Sequence, residues 1–352
     1  MTRKSTRLIS TYHPGLVSID CGASEPYTDE NGINWIGDET LMQNTMSTVN
    51  ETDVRYGTSN IPRELGTFRE FPANPRKNCY FIKLQKGAKY LVRASFYHGY
   101  YFKRYDRNFQ LHFDEKYRVT IDTSQKDHII NEVIYVVRDA YTSVCLVRIN
   151  EDELPFISSI EFRRLDSRMY NLVSLDQALF LIRRIALGAD GHVIRYGNDA
   201  YDRRWDSSTW AHTLAGGPKL IDVEGANDKP PEAAMRSAAV ASRNNLKFKY
   251  ENILQEYLTD DKVPIVYINI YFSEVQELDP SERRCFQIYI DDVPYGDSII
   301  PPYGSVKQVT IAGNTTSDGS RLDLLAFFCF IGSNKFRCLS TFSLTYICTS
   351  IN

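Results

Sequence analysis

The sequence contains one six-residue motif twice, once in each half of the chain. FQLHFD occupies residues 109 to 114, and FQIYID occupies residues 286 to 291. Apolar and polar residues alternate in both copies, so an extended strand would turn Phe109, Leu111 and Phe113 to one face and the residues between them to the other. Each copy is therefore predicted to form a half-buried strand that ends at an aspartate.

The length of the chain agrees with a duplicated domain. At 352 residues it exceeds what a single core usually organises, so two domains of ordinary size are expected. Short runs rich in Val, Ile, Tyr and Phe, separated by turn residues, are typical of strands, and the 23 tyrosines strengthen that preference. The pattern predicts an all-β fold of two tandem β-sandwich, jelly-roll-like domains.

Two longer segments are interpreted as β-hairpins at matching places in the two copies. Residues 77–102 would turn at 85–87, where Gln, Lys and Gly separate two alternating strands. Residues 248–272 would turn at 259–261 in the same way. The segment 163–191 connects the copies, and because its apolar residues fit a helix or a strand almost equally well, its conformation is left open.

The charge balance argues against a polyanionic partner. Forty-one basic and 44 acidic residues give a net charge of −3, which supplies no general attraction for nucleic acid or an anionic membrane. Two stretches, FKRYDR at 102–107 and RRLDSR at 163–168, combine arginines with aromatic or apolar residues, but each contains an aspartate of its own. They are interpreted as solvated surface, and no nucleic-acid partner is predicted.

The short motifs of common enzymes do not occur in the sequence. A Gly-x-Ser-x-Gly elbow, a phosphate-binding loop, a dinucleotide fingerprint and HExxH are all missing. A pair of catalytic carboxylates could lie anywhere along a chain, so that alternative stays open. The prediction is a protein that is not an enzyme and that needs no cofactor.

The seven cysteines form no CxxC pair and no Cys/His spacing suited to zinc, so no metal site is predicted. Because the count is odd, at least one thiol is free or pairs with another chain, and the sequence leaves the disulfide pairing open. Two triplets, at Asn50 and Asn314, are candidate N-glycosylation sites that favour the secretory pathway, although such triplets also arise by chance in surface loops.

Neither a signal peptide nor a transmembrane helix is predicted in this chain. The longest apolar run, LLAFFCFIG at 324–332, is about half of the ~18 residues that a membrane helix requires. The first ten residues, MTRKSTRLIS, carry the charge of a secretory leader, but no apolar region follows them.

Aromatic residues are crowded in one segment of the first copy, YHGYYFKRY at 97–105. Rings laid against the C–H face of a sugar, with an acid or amide bonding to its hydroxyls, are a physical solution for holding a polar ligand that has apolar faces. The alternative is that about half of these rings are ordinary sandwich packing, because tyrosine is common in strands.

The chain contains a series of longer motifs, namely SIDCG, YTDENGINWIGD, TFREFP, NCYFIKLQKGAKYLVRASFYHG, FQLHFD, LPFISSIEFRRL, RYGNDAYDRRWD, PPEAAMRSAA and YFSEVQEL. Together these motifs resemble the tandem malectin-like region in the extracellular part of plant receptor-like kinases, especially those with leucine-rich repeats. The resemblance runs from about residue 15 to the end and implies a first malectin-like domain at 15–165, a connection at 166–190 and a second domain at 191–350.

The resemblance also implies candidate ligand residues in the first copy. Animal malectin, which binds a glucosylated N-glycan, uses aromatic residues and an acid from loops at one end of its sandwich. Its two ring positions fall on Tyr100 and Tyr101, with Tyr97 in the same segment. A loop tyrosine followed by glycine is similar to Tyr56, and the acid before the closing strand falls near Glu153.

The corresponding segment of the second copy reads FSEVQEL, which puts Gln276 and Glu277 at the two ring positions. This change removes the stacking platform, so the resemblance implies a second domain that is a poor sugar site. Even the first copy departs from malectin at His98 and Gly99, and the malectin sugar specificity is therefore not transferred.

Two functions from different classes follow. One is an extracellular glycan-binding module whose first domain recognises a cell-wall or glycoprotein carbohydrate. The other is a scaffold in cell-surface signalling that binds a secreted peptide or a co-receptor, as related plant receptors do. Both imply a location outside the cell, with membrane attachment only through a transmembrane segment that this sequence does not contain.

Overall fold

The structure is a computed structural model in which strands dominate. It contains one α-helix, α1 (Glu232–Met235), and one 3-10 turn, Arg63–Leu65, among the residues it describes. The predicted all-β class is confirmed. The described residues are 15–39, 41, 47–49, 61–99, 107–124, 126, 128–189, 191–208, 213–239, 245–251, 265–280, 283–290, 293–314, 321–331 and 341–350.

The chain divides into two compact units. The first contains the described residues up to Ser167 together with Val173–Phe180, and the second contains Arg168–Leu172 and the described residues from Leu181 onward. A long strand, β14 (Ala178–Leu187), lies in the segment whose conformation the sequence left open. Its first residues pair with the first unit through Leu179 and Phe180.

Thirteen further strands are described in the first unit. They are β1 (Leu16–Asp20), β2 (Tyr27–Thr28), β3 (Asn34–Gly37), β4 (Ser47–Val49), β5 (Phe68–Glu70), β6 (Lys77–Lys83), β7 (Lys89–Tyr97), β8 (Asn108–Phe113), β9 (Tyr117–Asp122), β10 (His128–Val136), β11 (Tyr141–Arg148), β12 (Phe156–Ile157) and β13 (Ser159–Arg164).

Ten further strands are described in the second unit. They are β15 (Asp206–Ser208), β16 (Thr213–Ala215), β17 (Ser237–Ala239), β18 (Asn245–Glu251), β19 (Ile265–Ser273), β20 (Arg283–Ile290), β21 (Val293–Ile299), β22 (Lys307–Asn314), β23 (Arg321–Ile331) and β24 (Thr341–Ser350).

Each unit contains two sheets, and their strand orders are related. In the first unit one sheet has the order β2-β3-β1-β13-β7-β10, and the other has the order β6-β11-β8-β9. In the second unit the end of β14 is followed by β24, β19 and β22, and the other sheet has the order β18-β23-β20-β21. The orders β1-β13-β7-β10 and β14-β24-β19-β22 correspond strand for strand, as do the orders of the two other sheets, and the sheet of the first unit continues beyond β1 with β3 and β2. The duplication seen in the sequence therefore extends to the topology.

The first unit is a sandwich because apolar faces of its two sheets meet. The rings of Phe96 on β7 and Phe109 on β8 lie 5.6 Å apart between centroids, and Phe156 lies 5.9 Å from Phe109. Strand β8 alternates between half-buried and buried residues and buries Phe109, Leu111 and Phe113. The face predicted for FQLHFD is confirmed.

The two predicted hairpins are wrong, although their strands exist. Strand β6 pairs with β11, whereas β7 pairs with β10 and β13, so the chain passes from one sheet to the other between them. In the second unit β18 pairs with β23, whereas β19 pairs with β22 and β24. Alternation shows which face of a strand is buried, and two strands that face each other across a core have the same pattern as two paired strands.

Candidate functional site

Tyr97 is at the end of β7, and its ring is packed inside the first unit. Only 9% of the residue is exposed, and the ring meets that of His128 edge-on at 6.0 Å between centroids. The Tyr97 backbone N–H donates to Ser158 Oγ at 3.0 Å, and that hydroxyl donates to the Tyr97 carbonyl oxygen at 3.1 Å. This geometry is suited to packing, and it does not give Tyr97 the solvent-facing ring that sugar stacking needs.

Glu153 lies beside the entrance to β8. Its Oε2 accepts a hydrogen bond of 2.7 Å from the backbone N–H of Asn108, a residue 45 positions earlier in the chain. Asn108 is the first residue of β8, and the segment that carries Tyr100 and Tyr101 precedes it. The acid predicted from the sequence is therefore close to the point where the aromatic segment enters the sheet.

The neighbouring Arg107 fixes the same strand entrance. Its guanidinium donates to Glu70 Oε2 at 2.9 Å and to the Leu154 carbonyl oxygen at 2.5 Å. Because only 9% of Arg107 is exposed, these charge-assisted bonds hold the backbone around Glu153 in a defined position.

The other predicted site residues cannot be placed in this geometry. Tyr56, Tyr100, Tyr101 and Asn50 lie outside the described residues. Asn314 is the last residue of β22, and its backbone is in register with Ile265. Their ligand-binding and glycosylation roles stay predictions.

Several residues from the motifs that carry the family resemblance meet around Asp38. This carboxylate is fully buried and accepts hydrogen bonds from the Gly22 backbone N–H at 2.9 Å, Arg69 Nε at 3.0 Å and the Tyr80 hydroxyl at 2.8 Å. Burial raises the pKa of Tyr80 well above its ordinary value, so the hydroxyl keeps its proton and remains a donor. These residues stabilise the first unit, because each buried polar group has a partner.

Asp20 lies next to this cluster and has a perturbed pKa. It is 2% exposed, and it accepts hydrogen bonds from the Tyr27 hydroxyl at 2.7 Å and the Thr67 hydroxyl at 2.9 Å. Burial raises the pKa of this carboxyl from 3.8 to about 6, although the two hydrogen bonds act in the opposite direction. The nearby Asp38 carboxylate raises the pKa further, because two like charges disfavour ionisation.

A tryptophan is bound by an aspartate in each unit. Trp35 Nε1 donates to Asp29 Oδ2 at 3.0 Å, and Trp205 Nε1 donates to Asp199 Oδ2 at 2.7 Å. The acid precedes the ring by six residues in both cases, a spacing that is visible in the sequence and that could have identified the pair. Both contacts are structural, since Trp35 and Trp205 are completely buried.

The second unit contains an open cleft between two loops. One loop follows β19 and the other follows β21, and the Glu274 backbone N–H donates to the Pro302 carbonyl oxygen at 2.9 Å to join them. The volume is about 480 Å³, within the usual range for small-ligand sites. Tyr303 and Ile300, which are 46% and 45% exposed, form one wall. Gln276 and Glu277 also line this cleft.

A buried ion pair lines the same cleft. Arg284 and Glu274 are 8% and 6% exposed, and one guanidinium nitrogen of Arg284 contacts Glu274 Oε1. Arg284 also donates to Gln276 Oε1 at 2.7 Å, and the Gln276 backbone N–H donates to Glu274 Oε1 at 2.9 Å. The Nε of Arg284 is buried and has no hydrogen-bond partner in the part of the chain that is described.

The described cysteines include one disulfide. Cys79 on β6 and Cys145 on β11 are joined, and they are direct neighbours across the two strands. Glu115 lies close to both sulfurs and completes a Cys/Cys/Glu group, but disulfide sulfurs are not the thiolates that bind metals. Cys21 and Cys285 are free and buried, and burial raises the pKa of the Cys21 thiol.

No helix among the described residues could span a bilayer, because a spanning helix needs about 20 consecutive, mostly apolar residues.

Comparison with protein families gives one match over most of the chain. The family model described as Malectin-like domain matches residues 19–328. The resemblance inferred from the sequence motifs is confirmed.

Curated relatives come from Arabidopsis thaliana. An uncharacterized protein is 34% identical over 304 residues, which cover 84% of this chain and 57% of that protein. A protein named as a leucine-rich repeat receptor-like serine/threonine-protein kinase is 32% identical over 287 residues, which cover 79% of this chain and 32% of that protein. The chain thus spans about one third to just over half the length of these relatives.

Solved structures share the fold. The ANX2 ectodomain from Arabidopsis thaliana superposes with a TM-score of 0.75 at 16% identity, covering 95% of this chain and 97% of that chain. A chain in the crystal structure of the plant peptide RALF23 in complex with FER and LLG2 gives a TM-score of 0.72 at 14% identity, with 96% of each chain covered. The tandem malectin-like arrangement predicted from the sequence agrees with these ectodomains.

Proposed function

Because this chain belongs to the Malectin-like domain family, we propose that it is an extracellular, non-enzymatic recognition module that binds carbohydrate at one loop end of its first unit. The observation that carries the proposal is the contact between Glu153 Oε2 and the Asn108 backbone N–H at 2.7 Å. It supports a site in which an acid accompanies the aromatic segment, since Asn108 follows that segment directly. An acid beside rings is the combination that sugar recognition requires.

In this proposal each group has a separate task. Tyr100 and Tyr101 stack on the C–H face of a pyranose ring, and Tyr56 adds a further ring from its own loop. The Glu153 carboxylate accepts hydrogen bonds from sugar hydroxyls with the lone pairs that Asn108 leaves available. The binding is weak and rapidly reversible, because an exposed sugar exchanges hydrogen bonds with water for hydrogen bonds with protein.

An extracellular location has support from chemistry as well as from the relatives. The Cys79–Cys145 disulfide is of the kind that persists in oxidising compartments, such as the outside of the cell. The relatives named as receptor-like kinases carry the similar region as part of a longer protein.

The test is carbohydrate binding by the whole chain on a glycan array, followed by calorimetry. The double variant Tyr100→Ala/Tyr101→Ala should lose at least ~90% of the affinity, because removing two stacking rings costs about 1 kcal/mol or more each. Tyr141→Ala is the matched control, since Tyr141 is a 37% exposed tyrosine of the first unit on β11. Undiminished binding by the double variant would eliminate this site.

A second candidate function is binding of a secreted peptide or a co-receptor. The observation in its favour is the structural neighbour in complex with the peptide RALF23 and LLG2. The test uses the immobilised chain to capture ligands from plant apoplastic fluid, with the eluate divided into peptide, protein and polysaccharide fractions. Specific enrichment of a peptide or protein supports this candidate, and enrichment of polysaccharide alone counts against it.

A further inference from the structure

Two cysteines of the second unit lie directly opposite each other on neighbouring strands. Cys285 on β20 is in register with Cys329 on β23. We propose that these two residues form a second disulfide, which joins β20 to β23 when the chain folds under oxidising conditions. The structure shows Cys285 as a free thiol, and the proposal concerns its oxidised form. The inference is independent of the proposed carbohydrate recognition.

The register between β20 and β23 is regular where the two cysteines meet. The strands are antiparallel and pair continuously from Arg283 with Ile331 to Ile290 with Leu324. Directly opposite residues belong to the same face of an antiparallel sheet, and their Cα atoms are about 4.5–5.5 Å apart. A disulfide needs Cα atoms about 4.4–6.8 Å apart, so the two strands can accept the bond without a backbone shift.

The first unit contains a bond of the same kind in the corresponding sheet. Cys79 on β6 and Cys145 on β11 are directly opposite in register and are joined. Strand β11 has the same place in the order β6-β11-β8-β9 as β23 has in the order β18-β23-β20-β21. The existing bond joins β11 to the strand on one side, and the proposed bond joins β23 to the strand on its other side. Directly opposite cysteines are therefore compatible with disulfide formation in this type of sheet.

The bond fits the side of β20 on which Cys285 lies. Successive residues of a strand alternate between faces, so Cys285 shares its face with Gln287 and Tyr289, which are half-buried. Ile288, which is 1% exposed and belongs to the core, lies on the opposite face. The disulfide therefore leaves the apolar packing of the core in place.

Disulfide exchange supplies the chemistry, with glutathione disulfide as the oxidant. The thiolate of Cys285 attacks one sulfur of the oxidant, forms a mixed disulfide and releases one glutathione thiolate. The thiolate of Cys329 then attacks the Cys285 sulfur, breaks the mixed disulfide and releases the second glutathione. Two protein thiols are oxidised, one glutathione disulfide is reduced, and the two thiol protons end on the two glutathiones. Because only 4% of Cys285 is exposed, we expect this exchange while the chain folds.

The other cysteines of the second half are the competing partners. Cys348 lies on β24, in the other sheet of the second unit, and is in register with Val266. Cys338 lies outside the described residues. A further alternative is that Cys285 packs as a small apolar residue and stays a thiol. The alignment with Cys329 is the observation that favours the proposed pair.

The experiment is a disulfide map of the full chain folded in a glutathione redox buffer. Free thiols are blocked in denaturant, and the unreduced chain is digested with trypsin. Cleavage after Lys and Arg puts the candidates into three separate peptides, namely 285–307 with Cys285, 322–335 with Cys329, and 338–352 with Cys338 and Cys348. We expect the first two peptides to appear as one cross-linked species that a reductant separates.

The first-unit bond is the internal control for this map. Peptides 78–83 and 139–148 carry its two cysteines, and the buffer is made more oxidising until these peptides are fully cross-linked. Blocked thiols at both Cys285 and Cys329 under that condition overturn the proposal. A cross-link from Cys285 to peptide 338–352 also overturns it.

A double-mutant cycle separates the bond from simple packing. Either single change breaks the bond, so Cys285→Ala, Cys329→Ala and the double variant should each speed hydrogen exchange of β23 about a hundredfold or more, to the same extent. Additive effects of the two single changes overturn the bond and leave Cys285 a packing role. Cys348→Ala is the matched control, and it should have a much smaller effect on β23. If a variant does not fold, the disulfide map of the unaltered chain still decides the question.

Discussion

Asp20 shows how one buried carboxyl can make a β-sandwich sensitive to pH. Burial raises its pKa from 3.8 to about 6. Because the folded pKa lies above the unfolded value, the native state holds the proton more tightly than the unfolded chain does. The stabilisation is complete below about pH 3.8 and is lost as the pH rises to about 6. The difference between the two values corresponds to about 3 kcal/mol of unfolding free energy.

We predict that Asp20→Asn removes this pH dependence from the first unit. Relative to the variant, the wild type should lose about 2 kcal/mol of unfolding free energy between pH 4 and pH 6.5. The measurement is hydrogen exchange of the β1 amides by mass spectrometry across that range. Asp139→Asn, which changes an exposed carboxylate of the same unit, is the control. Parallel pH curves for wild type and Asp20→Asn would contradict the prediction.

At the residue scale, the sequence identified residues of the right chemical type for a site more readily than it showed what each residue does in the fold. The resemblance identified Glu153, and this acid does contact the strand that follows the aromatic segment. It also selected Tyr97, whose ring is packed, because one-dimensional spacing does not show whether the end of a strand is covered. Tyr303 was missed, since its proximity to Glu274 arises only when two loops, far apart in sequence, are joined.

At the element scale, strands β7, β10 and β13 carry a row of buried charges. Arg93 is aligned with Glu132 on one side and Glu161 on the other. Its guanidinium donates to Glu132 Oε2 at 3.0 Å and to Glu161 Oε2 at 3.1 Å, and all three residues are at most 2% exposed. The strands are held in register by this row, because a shift of one residue would move both carboxylates away from the positions opposite Arg93.

We predict that Glu132→Ala destabilises the first unit by about 3–5 kcal/mol, because it leaves the buried guanidinium of Arg93 without one of its two carboxylates. The matched control is Asp139→Ala, which breaks the Lys86–Asp139 pair, with a distance of 3.5 Å and side chains that are 70% and 80% exposed. That change should cost about 0–1 kcal/mol. Denaturant unfolding measures the loss of unfolding free energy in both variants. Equal losses would show that the charges of Arg93, Glu132 and Glu161 are not shielded from water.

The strands themselves could be predicted from alternation, but their partners could not. The segments 77–102 and 248–272 each contain the two expected strands, yet in both units the strands enter different sheets. Short turns usually join paired strands, and that preference favoured the hairpin. The correct pairing depends on contacts with β11 and β23, which are distant in sequence and give no local signal.

At the scale of the whole molecule, duplication has preserved the framework and changed the loops. Both units keep the order of four strands in each of their two sheets, and both have an Asp–Trp hydrogen bond near the start. The sequence between β7 and β8 contains the crowded tyrosines, whereas the corresponding sequence between β19 and β20 contains Gln276 and Glu277. A framework whose stability comes from its sheets can accept such changes, so the two units can acquire different ligands.

The Cys79–Cys145 disulfide lies within the first unit, and its contribution to stability can be measured in the intact chain. Cys79 and Cys145 close a loop with a sequence separation of 66, which in the chain-entropy model stabilises the first unit by about 4 kcal/mol. Loss of the bond in Cys79→Ala/Cys145→Ala should therefore lower the unfolding midpoint of the first unit and leave that of the second unchanged. Hydrogen exchange of β8 and β20 reports on the two units separately. Reductant should lower the midpoint of the first unit in the wild type and should have no further effect on the first unit of the variant; if the variant lowers both midpoints equally, the bond does not act within one unit.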